Sequence, residues 1–187
     1  DAFVVKEALD RLRLYVDFAA EVGGQVIIGC VRGDIDNKKS KEEYLEILAK
    51  NLLELGRYGK EKNITFLLEA INRYENNYLA TAAETLDFIQ HYGLRGYSVL
   101  LDTFHMNMEE KQIGEAFRQT GSYVGHVHTS DSTRLVPGSA HTDFAEMVSA
   151  LRDIGYTGWL SFECCVERDE EAEATAGLAH MKSLLGR

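Results

Sequence analysis

Glu69, Asp102, His128 and Glu163 each close a strand-like run in this sequence: ITFLLE, YSVLLD, YVGHVH and GWLSFE. Residues at the C-terminal ends of neighbouring parallel strands share one rim of a sheet, so three carboxylates and an imidazole would converge on one point. Such an O,O,N,O set suits a hard or borderline divalent cation and leaves coordination positions open for a substrate. Taken singly, a glutamate at a strand end caps the next loop or meets water. Four such ends in register argue for a shared centre, because a buried carboxylate costs several kcal/mol unless it is paired or metal-bound.

Other residues gather near these ends. His105 lies three residues after Asp102 in LDTFHMN, close enough to point into the same pocket from the loop rather than into water. His126 and His128 share one strand face. His128, nearer the end, is the better ligand, and His126 reads as a deeper, hydrogen-bonded structural residue. Arg134 could reach back to a negatively charged or enolate-like oxygen. Cys164 and Cys165 follow Glu163 directly and read as small packing residues.

This set suits proton removal beside a carbonyl. A divalent cation bridging the carbonyl and a neighbouring hydroxyl makes the resulting enediolate tolerable, and Arg134 and His105 would stabilise the developing oxygen charge. Two carboxylates on opposite faces of the carbon can exchange roles. Return of the proton to the opposite face inverts the centre, and return to the neighbouring carbon isomerises the sugar.

The elements that must position these residues are legible from periodicity. Apolar spacing predicts a helix over 6–21, ended by Gly23 and Gly24, and then a strand, QVIIGCV, over 25–31. Ser40 is the expected N-cap of a helix reaching Glu61. Thr81 and Glu84 form a capping-box pattern opening a helix that stops at Gly93. Further helices are expected near 114–120, over 143–154 and over 170–185. Strand runs start at 25, 64, 97, 123 and 158, and such alternation means right-handed βαβ crossovers and a parallel sheet. Continuous apolar strands fit a sheet covered on both faces. Polar residues ending four successive strands favour a (β/α)8 TIM barrel, whose chemistry sits at that face. An open doubly wound sheet would concentrate its site at one switch point, and G-x-G-x-x-G is absent.

Composition bounds the function. The 187 residues, 45% of them apolar, suffice for one domain over 1–187, and the net charge of −10 opposes binding to a phosphate backbone. No apolar run is long enough to span a bilayer, and the first residues lack a signal-peptide pattern. Three cysteines without framework spacing fit reduced thiols in a cytoplasmic setting. The chain opens on Asp1, directly into a helical pattern, and reads as the remainder of something longer.

EAINRYE, LDTFHMN, HVHTSDSTR with PGSAHTDF, and the closing SFE resemble the sugar isomerase/epimerase family with the xylose-isomerase-like TIM barrel. Within it the likeness is nearest to ketose 3-epimerases of the D-tagatose/D-psicose type, with hydroxypyruvate isomerases as near relatives. The resemblance implies that Glu69, Asp102, His128 and Glu163 are metal ligands and that Glu69 and Glu163 form the acid/base pair. It implies that Glu75, His105 and Arg134 hold the substrate's oxygens. One divalent ion is implied (manganese, magnesium or cobalt, with zinc a further option), together with a small sugar or keto-acid substrate and a homodimer or homotetramer. The sequence departs from the family loop P-G-x-G at Ala140. It also supplies only what look like the last five βα units, an incomplete barrel with two open edges and exposed apolar surface. Rival readings are a metal-dependent dehydratase on the same scaffold, an endonuclease IV-type nuclease, and an inactive fragment serving as scaffold. The nuclease pattern of Asp-x-His is reversed here as His141-Thr142-Asp143.

Overall fold

A computed structural model describes residues 2–186. Helix α1 (Ala2–Val22) leads to β1 (Val26–Ile28), α2 (Lys41–Glu61) to β2 (Phe66–Glu69), and α3 (Ala82–His91) to β3 (Tyr97–Asp102). Helices α4 (Thr103–Glu109) and α5 (Ile113–Thr120) precede β4 (Val124–Thr129), α6 (Phe144–Asp153) precedes β5 (Leu160–Phe162), and α7 (Glu170–Leu185) closes the chain. The strands form one parallel sheet among the described residues, in the order β1-β2-β3-β4-β5. This is a five-stranded arc of a (β/α) barrel, with each strand beside its sequence neighbours.

Local chemistry sets the helix ends. The Ser40 side chain accepts from the Glu43 backbone N–H while Glu43 accepts from the Ser40 N–H, so α2 starts with a complete capping box. At α3 the box is half made: Thr81 accepts from Glu84 N–H, but the Glu84 carboxylate takes the Ala80 N–H instead. Asp169 caps α7, and Glu170, Glu171 and Glu173 place negative charge at the positive end of its dipole.

The strands are shorter at the sheet edges than the sequence pattern predicts. β1 stops at Ile28, where Gly29 turns the chain into a single 3-10 turn over Cys30–Arg32. β5 stops at Phe162, so Glu163 stands just past the last ladder pair, Thr129 with Phe162. An edge strand is paired on one side only, and nothing there extends the ladder.

Alternate strand residues build two layers. Phe66, Leu68, Val99, Leu101 and Val127 face the helices and are fully buried with Leu55, Phe117 and Met147. Phe66 stacks on Tyr97, centroids 4.9 Å apart, and the Tyr97 hydroxyl donates to the Leu52 carbonyl at 2.8 Å. Gly59 of α2 lets the helix close on this pair, because a Cβ there would lie 2.3 Å from the Phe66 ring. Leu67 and Leu100 point to the inner face and are buried beneath Glu69 and Asp102.

Apolar side chains are exposed at both edges of the arc. Ile27 is 41% exposed, Phe18 and Val22 of α1 are each 62% exposed, and Trp159 beside β5 is 80% exposed. This is the apolar surface expected of an arc with two free edges. Among the described residues no helix is long and apolar enough to cross a membrane.

Because Phe66 fills the seam between α2 and the sheet, Phe66→Ala should cost about 3–5 kcal/mol of unfolding free energy, as large-to-small changes at such sites do. Urea denaturation followed by circular dichroism measures it, and a loss below about 1 kcal/mol would mean that the seam is not what holds the helix layer.

Candidate active site

The strand ladder explains how residues distant in sequence meet. Asp102 is the register partner of His128, so these two sit side by side on the rim. Glu69 pairs with Leu100, two residues short of Asp102, which is the stagger of tilted barrel strands. In β4 the register shifts: Val99 faces Val124 and Leu100 faces His126, with Gly125 bulged between them. A Cβ at Gly125 would meet Ser98 Cβ at 2.5 Å, so only glycine lets β4 approach β3 this closely. Past the bulge the period of the strand puts His126 and His128 on one face, in register with Leu100 and Asp102, their rings edge to face at 5.2 Å. The expected hydrogen-bonded role of His126 is not what the structure holds: among the described residues its ring meets His128 and no hydrogen-bond partner.

The four rim residues come together. One ligand atom from each of Glu69, Asp102, His128 and Glu163 lies within 4.8 Å of the others. Asp102 is fully buried and Glu69 and His128 nearly so, while the Glu163 side chain is 49% exposed. Their charges interact strongly. Burial, reinforced by the Glu163 and Asp102 charges, pushes the Glu69 carboxyl up to about 7. Burial also raises Asp102, against the pull of Arg134. The His128 hydrogen bond holds Glu163 down at about 2. His128 loses by burial but ends above its ordinary value through Glu163 and the other carboxylates.

These residues fit a divalent ion. Three carboxylates and one imidazole are the donor set of a hard or borderline cation. The Glu69 carboxylate, although nearly buried, accepts no hydrogen bond from the described residues, so a cation beside it would help to compensate its ionised form. Gly29 makes room for it, since a Cβ there would fall 2.5 Å from Glu69 Oε2.

Arg134 reaches the same point. Its guanidinium donates to Asp102 Oδ2 at 2.5 Å and Glu163 Oε2 at 2.6 Å and lies over the Phe104 ring, 4.7 Å from its centroid. The backbone holds it there in the left-handed region at φ 64°, with its N–H on the Asp131 carbonyl and its own carbonyl taking the Cys165 N–H. A non-glycine residue so held costs about 1–3 kcal/mol, which this network must supply. The buried Asp131 carboxylate gathers the backbone N–H groups of Ser132, Gly138, Ala140 and Thr142. In the turn over 137–140 the positive φ, 89°, falls on Gly138 and not on Ala140, so alanine at 140 is accommodated without strain.

His105 sits on a helix, not in the expected loop. Asp102 caps α4 by accepting the Phe104 N–H at 2.9 Å, which turns the chain helical at once and places His105 in its first turns. The ring is buried, and burial lowers its pKa to about 4, keeping it neutral. Its Nε2 lies 3.7 Å from Glu69 Oε1 and its Nδ1 3.9 Å from Glu75 Oε1. Glu75 thus stands beside the site, held through Asn72 at 2.9 Å. Arg73 anchors this loop to α4 by a two-point pair with Glu109, at 2.9 and 2.7 Å.

Sequence reasoning missed Arg32 and Asn72. Arg32, half-buried, donates to the Glu69 carbonyl at 2.8 Å and to Asn76 Oδ1 at 3.1 Å, tying the β1 turn to the β2 end. A basic residue in the turn after β1, otherwise unexplained, was the available signal. Cys164 donates to the Thr129 carbonyl at 3.4 Å, consistent with packing at the strand end.

With this geometry, the chain belongs to the xylose isomerase-like TIM barrel family, whose pattern it matches over residues 1–184. It is 40% identical over 129 residues to a D-psicose 3-epimerase of Ruminiclostridium cellulolyticum, covering 69% of this chain and 43% of that protein. A D-psicose 3-epimerase of Enterocloster bolteae is 37% identical over 153 residues, covering 82% and 50%. The solved structure of D-psicose 3-epimerase with D-tagatose from Clostridium cellulolyticum H10 matches with a TM-score of 0.86 at 31% identity, over 96% of this chain and 71% of that one. The chain therefore spans about half the length of these curated relatives.

Two outcomes follow from the rim. Glu69 is protonated below about 7 in the ion-free protein, and a cation needs the carboxylate, so uptake releases a proton there. Manganese affinity should fall at least about tenfold per pH unit below 7, because the raised His128 must lose its proton as well as Glu69, and should level off once both are deprotonated. Isothermal titration calorimetry at several pH values checks this, and a flat profile would contradict it. Gly29→Ala should keep the melting temperature within a few degrees yet weaken manganese binding on the order of 10–100-fold, by displacing the Glu69 carboxylate.

Proposed function

We propose that this rim is the centre of a divalent-metal-dependent sugar epimerase acting on a ketose or keto-sugar acid. The convergence of four donor atoms within 4.8 Å carries the reading, and the epimerase names of the relatives support it. Glu69, Asp102, His128 and Glu163 would hold the ion, with manganese, magnesium or cobalt suiting the oxygen-rich set better than zinc. When bound, the ion would supply Lewis acidity to the sugar's carbonyl oxygen.

The chain's own groups do the rest. Glu69 and Glu163 are the pair that moves the proton: one carboxylate takes it from the carbon next to the carbonyl, and the other returns it. Glu69 is buried and fixed against Gly29, which suits a group that must meet one carbon atom. Glu163 is half exposed and hydrogen-bonded to His128 at 3.0 Å, which suits a group on the open side. Glu75, His105 and Arg134 would hold the sugar's oxygens, and the neutral His105 and cationic Arg134 meet growing negative charge there.

Incubating the manganese-loaded protein with a panel of ketoses in D2O tests the reading. Deuterium should appear at the carbon beside the carbonyl as epimer forms, seen by NMR. Glu69→Gln and Glu163→Gln should each lower kcat by about 10²–10⁴-fold. Near-native rates in both variants would remove the two-carboxylate scheme, and growth of an enone absorption band would replace epimerisation with dehydration.

A further inference from the structure

Asn72 is 1% exposed in the turn after β2, and each of its side-chain atoms has a fixed partner. The Tyr74 backbone N–H donates to Oδ1 at 3.0 Å, which settles which end of the amide is oxygen. The nitrogen end therefore faces Glu75 Oε1 at 2.9 Å and His105 Nδ1 at 2.6 Å. An amide nitrogen donates and cannot accept. His105 Nδ1 must then offer its lone pair, and the neutral ring carries its hydrogen on Nε2. That nitrogen points toward Glu69 Oε1 at 3.7 Å, too far for a hydrogen bond, from a ring only 3% exposed.

We propose that Asn72 is a positioning residue that locks His105 in the Nε2–H form, so that the site receives from this ring a donor and never an acceptor. A substrate oxygen meeting Nε2 must then accept a hydrogen bond, as a carbonyl oxygen or a developing oxyanion does and as a hydroxyl does only through its lone pair. The same amide orders Glu75, so one buried residue orients two groups on the substrate side. The tautomer follows from the hydrogen bonds alone, and only its use in turnover rests on the ketose reading.

Long-range proton–nitrogen NMR of histidine-labelled, magnesium-loaded protein reads the tautomer directly, with the His105 signals assigned by their loss in His105→Gln. The wild type should show a pyrrole-type Nε2 and a pyridine-type Nδ1. Asn72→Asp has no amide hydrogen to give, so its His105 should carry hydrogen on Nδ1, and kcat should fall by about 10²-fold, the cost of a misplaced oxyanion donor, with KM little changed. If Asn72→Asp fails to fold, Asn72→Ala should show mixed tautomers. Hydrogen on Nδ1 in the wild type, or an Nε2–H ring surviving in the folded variants, would overturn the lock. A shifted tautomer with unchanged kcat would overturn its role in turnover. An Nε2–H wild type that turns over no ketose would support the lock and remove the epimerase reading.

Discussion

Mutual repulsion among Glu69, Asp102 and Glu163 is the constraint around which this molecule is arranged. Three carboxylates within a few ångströms cannot all remain ionised without positive charge close by. The structure answers with His128 between Asp102 and Glu163 and with the Arg134 guanidinium bridging the same two groups. Glu69 lies outside that bridge, and its carboxyl is the one lifted furthest toward neutrality. The burial that makes the cluster costly would also favour a small, highly charged ion there, since such an ion compensates several carboxylates at once.

The scaffold serves this arrangement through close approach. Gly29 clears space for one carboxylate and the Gly125 bulge pulls β4 against β3. The ladder pairing of Asp102 with His128 sets the remaining spacing. Beyond the strands, loops are held by side chains that act on backbone groups: Arg32 on the end of β2, and Asp131 on the turn that presents Arg134. Side chains on loops are thereby held with the precision of side chains on strands.

The rim residues were legible because each ends an apolar run, and a sheet imposes period two and a common edge. β3, α2 and α7 match their expected bounds, since their caps and periodicity agree. What was not legible depends on tertiary contact. The seven-residue helix α4 lacks a separate cap residue, because Asp102 serves as cap and rim group together, so His105 read as a loop residue. Edge strands β1 and β5 were overextended, as propensity says nothing about which strand lacks a neighbour. Asn72 and Arg32 look like ordinary polar loop residues until distant partners, up to 47 positions away, are brought against them.

The free edges of the arc have a colloidal consequence. Among the described residues β1 and β5 are the edge strands, with Ile27, Phe18 and Trp159 exposed near them, and exposed edges invite strand-to-strand association between molecules. The net charge of −10 opposes that contact by long-range repulsion. Salt screens this repulsion within about 10 Å at 0.1 M, so the ionic strength of the medium sets how far these molecules stay dispersed.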